Sequence, residues 1–263
     1  MRLNFDLISD LHVETWSEKF NWQGKSTSML CVVAGDISED RDLVVETLKH
    51  LSTCYRTVLY IDGNDEHQQY MQDIGSSYQT LAEQIAKIPN VVYLQDNLVI
   101  IDGVAFLGTN GWWTYDFNPD IEYDQARLWF QEHYTVDSTT VSNLETMALQ
   151  DYAYLTNSIK KLQTYQDVKR IVIITHTVPS FEFIEHDLSL EGSYRQNVFG
   201  NSFMRGVLAA DTEKKIDTWC FGHYHGSVDR GGNGIRYVNN CRGKGDTPWN
   251  VGVYHPLRIT INY

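Results

Sequence analysis

Asp10, His12, Asp36, Asn64, His176, His223 and His225 occupy one kind of place in this chain, the end of a short apolar run. "LNFDLIS" leads into Asp10-Leu11-His12, "LCVVA" into Gly35-Asp36, "VLYID" into Gly63-Asn64, "IVIIT" into His176, and "TWCF" into Gly222-His223-Tyr224-His225. Taken singly, each has an ordinary reading. Asp10 or Asp36 serves as a helix cap, Asn64 as a turn former, and His176 as a satisfied core histidine. Taken together, they are oxygen and imidazole donors delivered by successive strands to one sheet edge, where loops converge into sites. Hard carboxylate and amide oxygens combined with neutral imidazoles suit Mn, Fe, Zn or related divalent ions. Two such ions about 3.5–4 Å apart, sharing a carboxylate, can clamp a phosphate and generate hydroxide.

The elements that must position these residues are legible as periodicity. The runs are rich in β-branched and aromatic residues, as strands buried on both faces of a covered sheet require. "LRITINY" adds a closing strand. Between them, "RDLVVETLKHL" places Leu43, Val44, Thr47, Leu48 and Leu51 at helical spacing, and Tyr152, Leu155, Ile159 and Leu162 do the same. "SVDRGGNGIRY" reads as a hairpin between late strands. No internal repeat, low-complexity tract or Pro/Ser linker interrupts the pattern. The expected architecture is one α/β domain spanning 1–263, and 263 residues with 42% hydrophobic and 13% aromatic content can bury its core.

Composition excludes several classes. The start, "MRLNFDLISD", lacks a basic region followed by a long apolar run, and no window reaches a bilayer-spanning length. The four cysteines, Cys31, Cys54, Cys220 and Cys241, are far apart, so reduced thiols in a cytoplasmic protein are expected, with no membrane partner. A formal net charge of −13 argues against long nucleic acid, which demands clustered Lys and Arg. A phosphate-ester substrate remains admissible, because divalent ions supply positive charge locally.

"DLH", "GD", "GN", "ITHTVP" and "GHYH", in this order and each after an apolar strand, resemble the motifs of the calcineurin-like metallophosphoesterase family. The match runs from Asp10 to His225. What the resemblance implies is a four-layer αββα sandwich of two mixed sheets flanked by helices, and hydrolysis of phosphate mono- or diesters by a metal-bridging hydroxide. It implies two divalent cofactor ions, manganese foremost, with iron, zinc, nickel or magnesium admissible. Asp10, His12 and His225 would hold one ion, Asn64, His176 and His223 the other, and Asp36 would bridge them.

The chain departs from the family at Asp65. A histidine that binds phosphate and protonates the leaving group usually follows the amide ligand, and an ionised carboxylate beside cations cannot donate a proton. Either His67, two residues on, takes the acid role, or the leaving group needs no acid, or catalysis is impaired. The last case gives the alternative function, a phosphoesterase-fold binding or scaffold protein. Asp65 and His67 are therefore the candidate catalytic positions. Arg242, in "VNNCRGKG", is similar in place to a segment after the last ligand in some family members and is a candidate substrate contact.

An aromatic-rich, cap-like insert is expected at 109–150, opening with "TNGWWTYDF". Trp112, with Trp113, Tyr115 and Phe117, is placed to wall a pocket for a base or aromatic leaving group, or else to pack the insert down. In the segment after His176, Tyr194, Arg195 and Asn197 are candidates for substrate selection. His133 and His186 have no metal-ligand partners in sequence and stay outside the expected site.

Overall fold

A computed structural model describes residues 1–245 and 254–263. Its strands run, in chain order, as β1 (Arg2–Ile8), β2 (Leu30–Ala34), β3 (Thr57–Ile61) and β4 (Val91–Tyr93). They continue as β5 (Asn97–Ile101), β6 (Val104–Thr109), β7 (Arg170–Thr175), β8 (Ile216–Phe221), β9 (Asp229–Gly232) and β10 (Ile235–Asn239), closing with β11 (Leu257–Asn262). One sheet has the order β11-β1-β2-β3-β4 and the other β5-β6-β7-β8-β10-β9, and both are mixed.

The two sheets lie face to face because their strands alternate strictly between two cores. Phe5, Leu7, Val32, Ala34, Leu59 and Ile61 of the first sheet meet Phe106, Val172, Ile174 and Cys220 of the second in the central layer. The intervening residues point outward. Cys31, Val33, Val58 and Tyr60 pack under α1 (Arg41–Cys54) and α2 (Ile74–Ile85). Ala105, Leu107, Ile171, Ile173, Trp219 and Phe221 pack against the later part of the chain. The result is the expected αββα sandwich. Each fully buried Leu, Ile, Val or Phe contributes about 1.5–3 kcal/mol relative to exposure.

The helices form where sequence favours them. The Asp40 side chain accepts from the Asp42 and Leu43 backbone N–H groups and starts α1, whose buried stripe is Val44, Thr47, Leu48 and Leu51. After α3 (Tyr123–His133), Asp137 caps the 26-residue α4 (Ser138–Gln163) in the same way. Two short helices, α5 (Leu190–Arg195) and α6 (Met204–Val207), follow β7. The expected hairpin is β9-β10.

Two features differ from expectation. β4 and β5 were not anticipated, although Asp102-Gly103 between β5 and β6 is a two-residue hairpin signal. β11 buries only Ile259 and Ile261, which face the central layer, while the alternate residues Arg258, Thr260 and Asn262 are exposed. The aromatic-rich stretch folds as a loop, α3 and the first half of α4 around their own cluster, which includes Trp112, Trp113, Tyr115 and Phe130. Among the described residues, no helix is long and apolar enough to cross a membrane.

Candidate metal centre

The C-terminal ends of β1, β2 and β3 from one sheet and of β7 and β8 from the other meet at one rim. Backbone bonds lock their turns together: Asp10 N donates to Gly35 O (2.9 Å), His12 N to Asp36 O (3.3 Å) and Gly222 N to His176 O (2.8 Å). Asp10, His12, Asp36 and His223 all adopt left-handed φ values, between 40° and 64°. Non-glycine residues rarely do so, and such strain clusters where a site over-determines the backbone. A Cβ on Gly35, itself at φ 84°, would overlap the His176 ring, and one on Gly63 would overlap the Asp36 carboxylate. Glycine is required at both positions by that close approach.

The donor atoms converge as two groups. In the first, His12 Nε2 and His225 Nε2 are 3.0 Å apart, and His225 Nε2 is 3.5 Å from Asp10 Oδ1. In the second, His176 Nε2 lies 3.1 Å from His223 Nδ1, 3.2 Å from Asn64 Oδ1 and 3.2 Å from Asp36 Oδ2. Ligands bonded at about 2.0–2.2 Å to one ion stand about 3–3.5 Å from each other, so these spacings fit a shared ion in each group. The tautomers suit this as well. His176 Nδ1 faces Ala34 O (2.9 Å) and His223 Nε2 faces Val198 O (3.0 Å), so each ring can donate outward and turn its other nitrogen inward. Among the described residues, the buried Asp10 Oδ2 has no hydrogen-bond partner.

Charge tells the same story. Burial disfavours the ionised forms of Asp10 and Asp36, yet the histidines beside them hold both carboxyls below the usual range. Burial alone would push the His12 imidazole down, but Asp65, Asp36 and Asp10 outweigh it and carry the ring up to about 9. Burial also opposes protonation of His176, and Asp36 reverses the balance. His223 is pushed down to about 4 by burial and by His176. Ionised carboxylates drawing protons onto buried rings are a donor set short of positive charge, and divalent ions compete with those protons.

Glu66 braces the turns of the candidate site and was not among the site residues expected from the sequence. Its carboxyl accepts from Ile37 N (2.7 Å) on one oxygen, and from Gly63 N (2.8 Å) and Asp36 N (3.1 Å) on the other. It thereby clips the β2 and β3 turns together and sets Asp36. Burial and the neighbouring Asp36 push its carboxyl up to about 8. The only advance signal was a carboxylate in an otherwise ligand-bearing turn.

His12, Asp36, Asn64, Asp65, His223 and His225 line a cavity of about 830 Å³, and the fully buried Asp10 and His176 stand beside them, in reach of His225 and Asp36. His67 is not among them. Its ring is fully buried, with Nδ1 2.8 Å from Ser77 Oγ and Nε2 2.9 Å from Asp62 Oδ2, and it is not part of the cavity lining. Trp112 does not line the cavity either, because its indole N–H is committed to Tyr78 Oη (2.8 Å) and its rings pack beside His67 and Trp113. Arg242 stacks over Trp16 at 3.9 Å from the ring centroid and likewise stays out of the lining. Asn197 turns inward to accept from Asn118 N, and Tyr194 stacks on Trp129. Arg195 does line the cavity, along with Lys244, His133, Tyr134, Phe199 and Tyr224. These come from segments remote in sequence and carry no motif.

A scan of protein-family models finds no match to the chain, and no curated protein matches its sequence. Solved structures do resemble it. The phosphopantetheinyl hydrolase PptH from Mycobacterium tuberculosis has a TM-score of 0.70 at 16% identity, covering 97% of this chain and 95% of that one. GAP50, the anchor in the inner membrane complex of Plasmodium, gives 0.47 at 11% identity, covering 93% of this chain and 72% of that one. The second score is too low to weigh. The first, at this identity, shows that the chain shares a fold with a hydrolase.

Proposed function

We propose that this chain is a dinuclear metal-dependent phosphoesterase acting on phosphate mono- or diesters. The observation that carries the reading is the convergence of two donor groups at the base of one cavity, with Asp36 between them. Asp10, His12 and His225 would hold one ion, Asn64, His176 and His223 the other, and Asp36 both. The donor set of imidazole, carboxylate and amide oxygen suits manganese, with iron, zinc, nickel and magnesium as alternatives. Bound there, two divalent ions would supply Lewis acidity and lower the pKa of water for attack on phosphorus.

The chain's own side chains do the rest. Glu66 fixes the Asp36 turn, and the carbonyls of Ala34 and Val198 fix two histidine tautomers. Arg195 and Lys244 at the cavity wall draw in an anionic ester. With His67 turned away and Asp65 a carboxylate, esters with good leaving groups are the favoured substrates. The scaffold reading rests on that same missing acid.

Elemental analysis at saturating manganese should give two ions per chain, and Asp36→Asn should lose both. Hydrolysis of p-nitrophenyl phosphate and bis(p-nitrophenyl) phosphate then separates monoesterase from diesterase. One ion or none, or a variant that keeps both, would sink the two-ion assignment. Two ions with no turnover of either ester would favour the scaffold.

A further inference from the structure

Asp65 stands where the resembling family carries its acid histidine, and its surroundings give it other work. The residue is 7% exposed, on the first turn of the short 3-10 helix Asp65–Asp73. Its Oδ1 accepts from Asn64 Nδ2 at 2.7 Å. An amide held by its nitrogen presents its oxygen the opposite way, and Asn64 Oδ1 does face His176 Nε2 in the second donor group. Asp65 Oδ2 lies 3.2 Å from His12 Nδ1, while His12 Nε2 points into the first donor group, 3.0 Å from His225. Among the described residues, neither Asp65 Oδ2 nor His12 Nδ1 has an aligned hydrogen-bond partner, and a small ring rotation would join them. The Asp65 backbone N–H completes the pattern by donating to Asp36 Oδ1 at 2.9 Å.

We infer that Asp65 is a positioning residue that ties the two metal sites together, one carboxylate oxygen orienting His12 and the other orienting Asn64. A carboxylate on the outer nitrogen of a ligating histidine fixes its tautomer and raises the basicity of the inner nitrogen. Histidine could not perform both tasks, since a neutral imidazole has one acceptor and here two donors must be satisfied. The residue thus exchanges a proton donor for a firmer grip on both ions. Lys244 Nζ, 4.0 Å from Asp65 Oδ2, offsets part of the charge that would repel a phosphate.

The inference rests on the two-ion reading, and its test separates the two. Wild-type protein, Asp65→Ala and Asp65→Asn are titrated with Mn²⁺ and with Co²⁺ by calorimetry, the cobalt forms also by visible absorption. Losing a partner that orients metal-ligating side chains typically weakens metal binding about 10–100-fold, and Asp65→Ala should do so at both sites. Asp65→Asn keeps an acceptor for Asn64 but turns an NH2 toward the His12 N–H. It should therefore weaken the first site about tenfold or more while leaving the second near wild type, with the cobalt spectrum changing to match. Asp65→Ala affecting one site alone, or neither, overturns the inference while leaving the two-ion reading intact. Fewer than two ions on the wild-type chain would overturn both.

Discussion

Asp65 and His67 are two residues apart and were both candidate catalytic positions, yet their neighbours send them in opposite directions. The helical turn that carries Asp65 into the cavity wall rotates His67 into the layer beneath, between Ser77 and the buried Asp62. Asp62 stays ionised there against burial because His67, Tyr93 and Asn110 bond to it. Removing the imidazole leaves that carboxylate short of a partner in a dry site. His67→Ala should therefore cost about 3 kcal/mol of stability. The ratio of rates for activated and unactivated esters should stay unchanged. Comparing denaturant midpoints and that rate ratio checks the point, and a selective collapse with poor leaving groups would restore His67 as the acid.

At the scale of elements, α4 anchors the aromatic loop that follows β6 through a single buried carboxyl. Asp151 accepts from Gly111 N (2.8 Å) and Trp112 N (2.9 Å), while its other oxygen lies 2.6 Å from Thr109 Oγ1. Thr109 Oγ1 is also 2.9 Å from Asp96, and one hydroxyl proton cannot serve two carboxylates. A proton on Asp151 resolves the conflict. Burial and then Asp96 push this carboxyl from 3.8 up to about 8. With the folded value above the unfolded one, the stability from this group is full below its ordinary range and is lost as pH rises toward about 8. Asp151→Asn mimics the neutral acid, so its melting temperature should fall less than that of wild type between pH 5 and 9. Parallel melting scans across that range give the comparison, and identical slopes would show Asp151 ionised throughout.

For the whole molecule, the net charge is −13, and the cavity lining mixes signs: Arg195 and Lys244 stand at its wall among Glu185, Asp65 and Asp36. An anionic substrate approaching a negative protein is steered by such local cations, and salt screens the effect within about 10 Å at 0.1 M. Arg195→Ala should raise KM for a phosphate ester about 3–10-fold at low ionic strength with little change in kcat, and the difference should shrink in 0.5 M salt. Steady-state kinetics at two salt concentrations decide this. A drop in kcat with KM unchanged would place Arg195 at the reacting group instead.

What the sequence determined by itself was periodic or punctual. The continuous apolar runs "LCVVA" and "VLYID" mark strands buried on both faces, the helical stripe of α1 follows from local backbone geometry, and the ligand types at the strand ends survive as short motifs because each turn must deliver one side chain. β4 and β5, short and only partly buried, were not legible, since their patterns mix exposed and core positions. Only the tertiary structure decided which side chains share the cavity. Arg195, Lys244 and Tyr134 reach it from distant segments, while Trp112, Arg242 and His67 are drawn elsewhere by Tyr78, Trp16 and Asp62. The reason is physical: a buried polar group must find its partner wherever packing puts one, and that partner has no fixed distance along the chain.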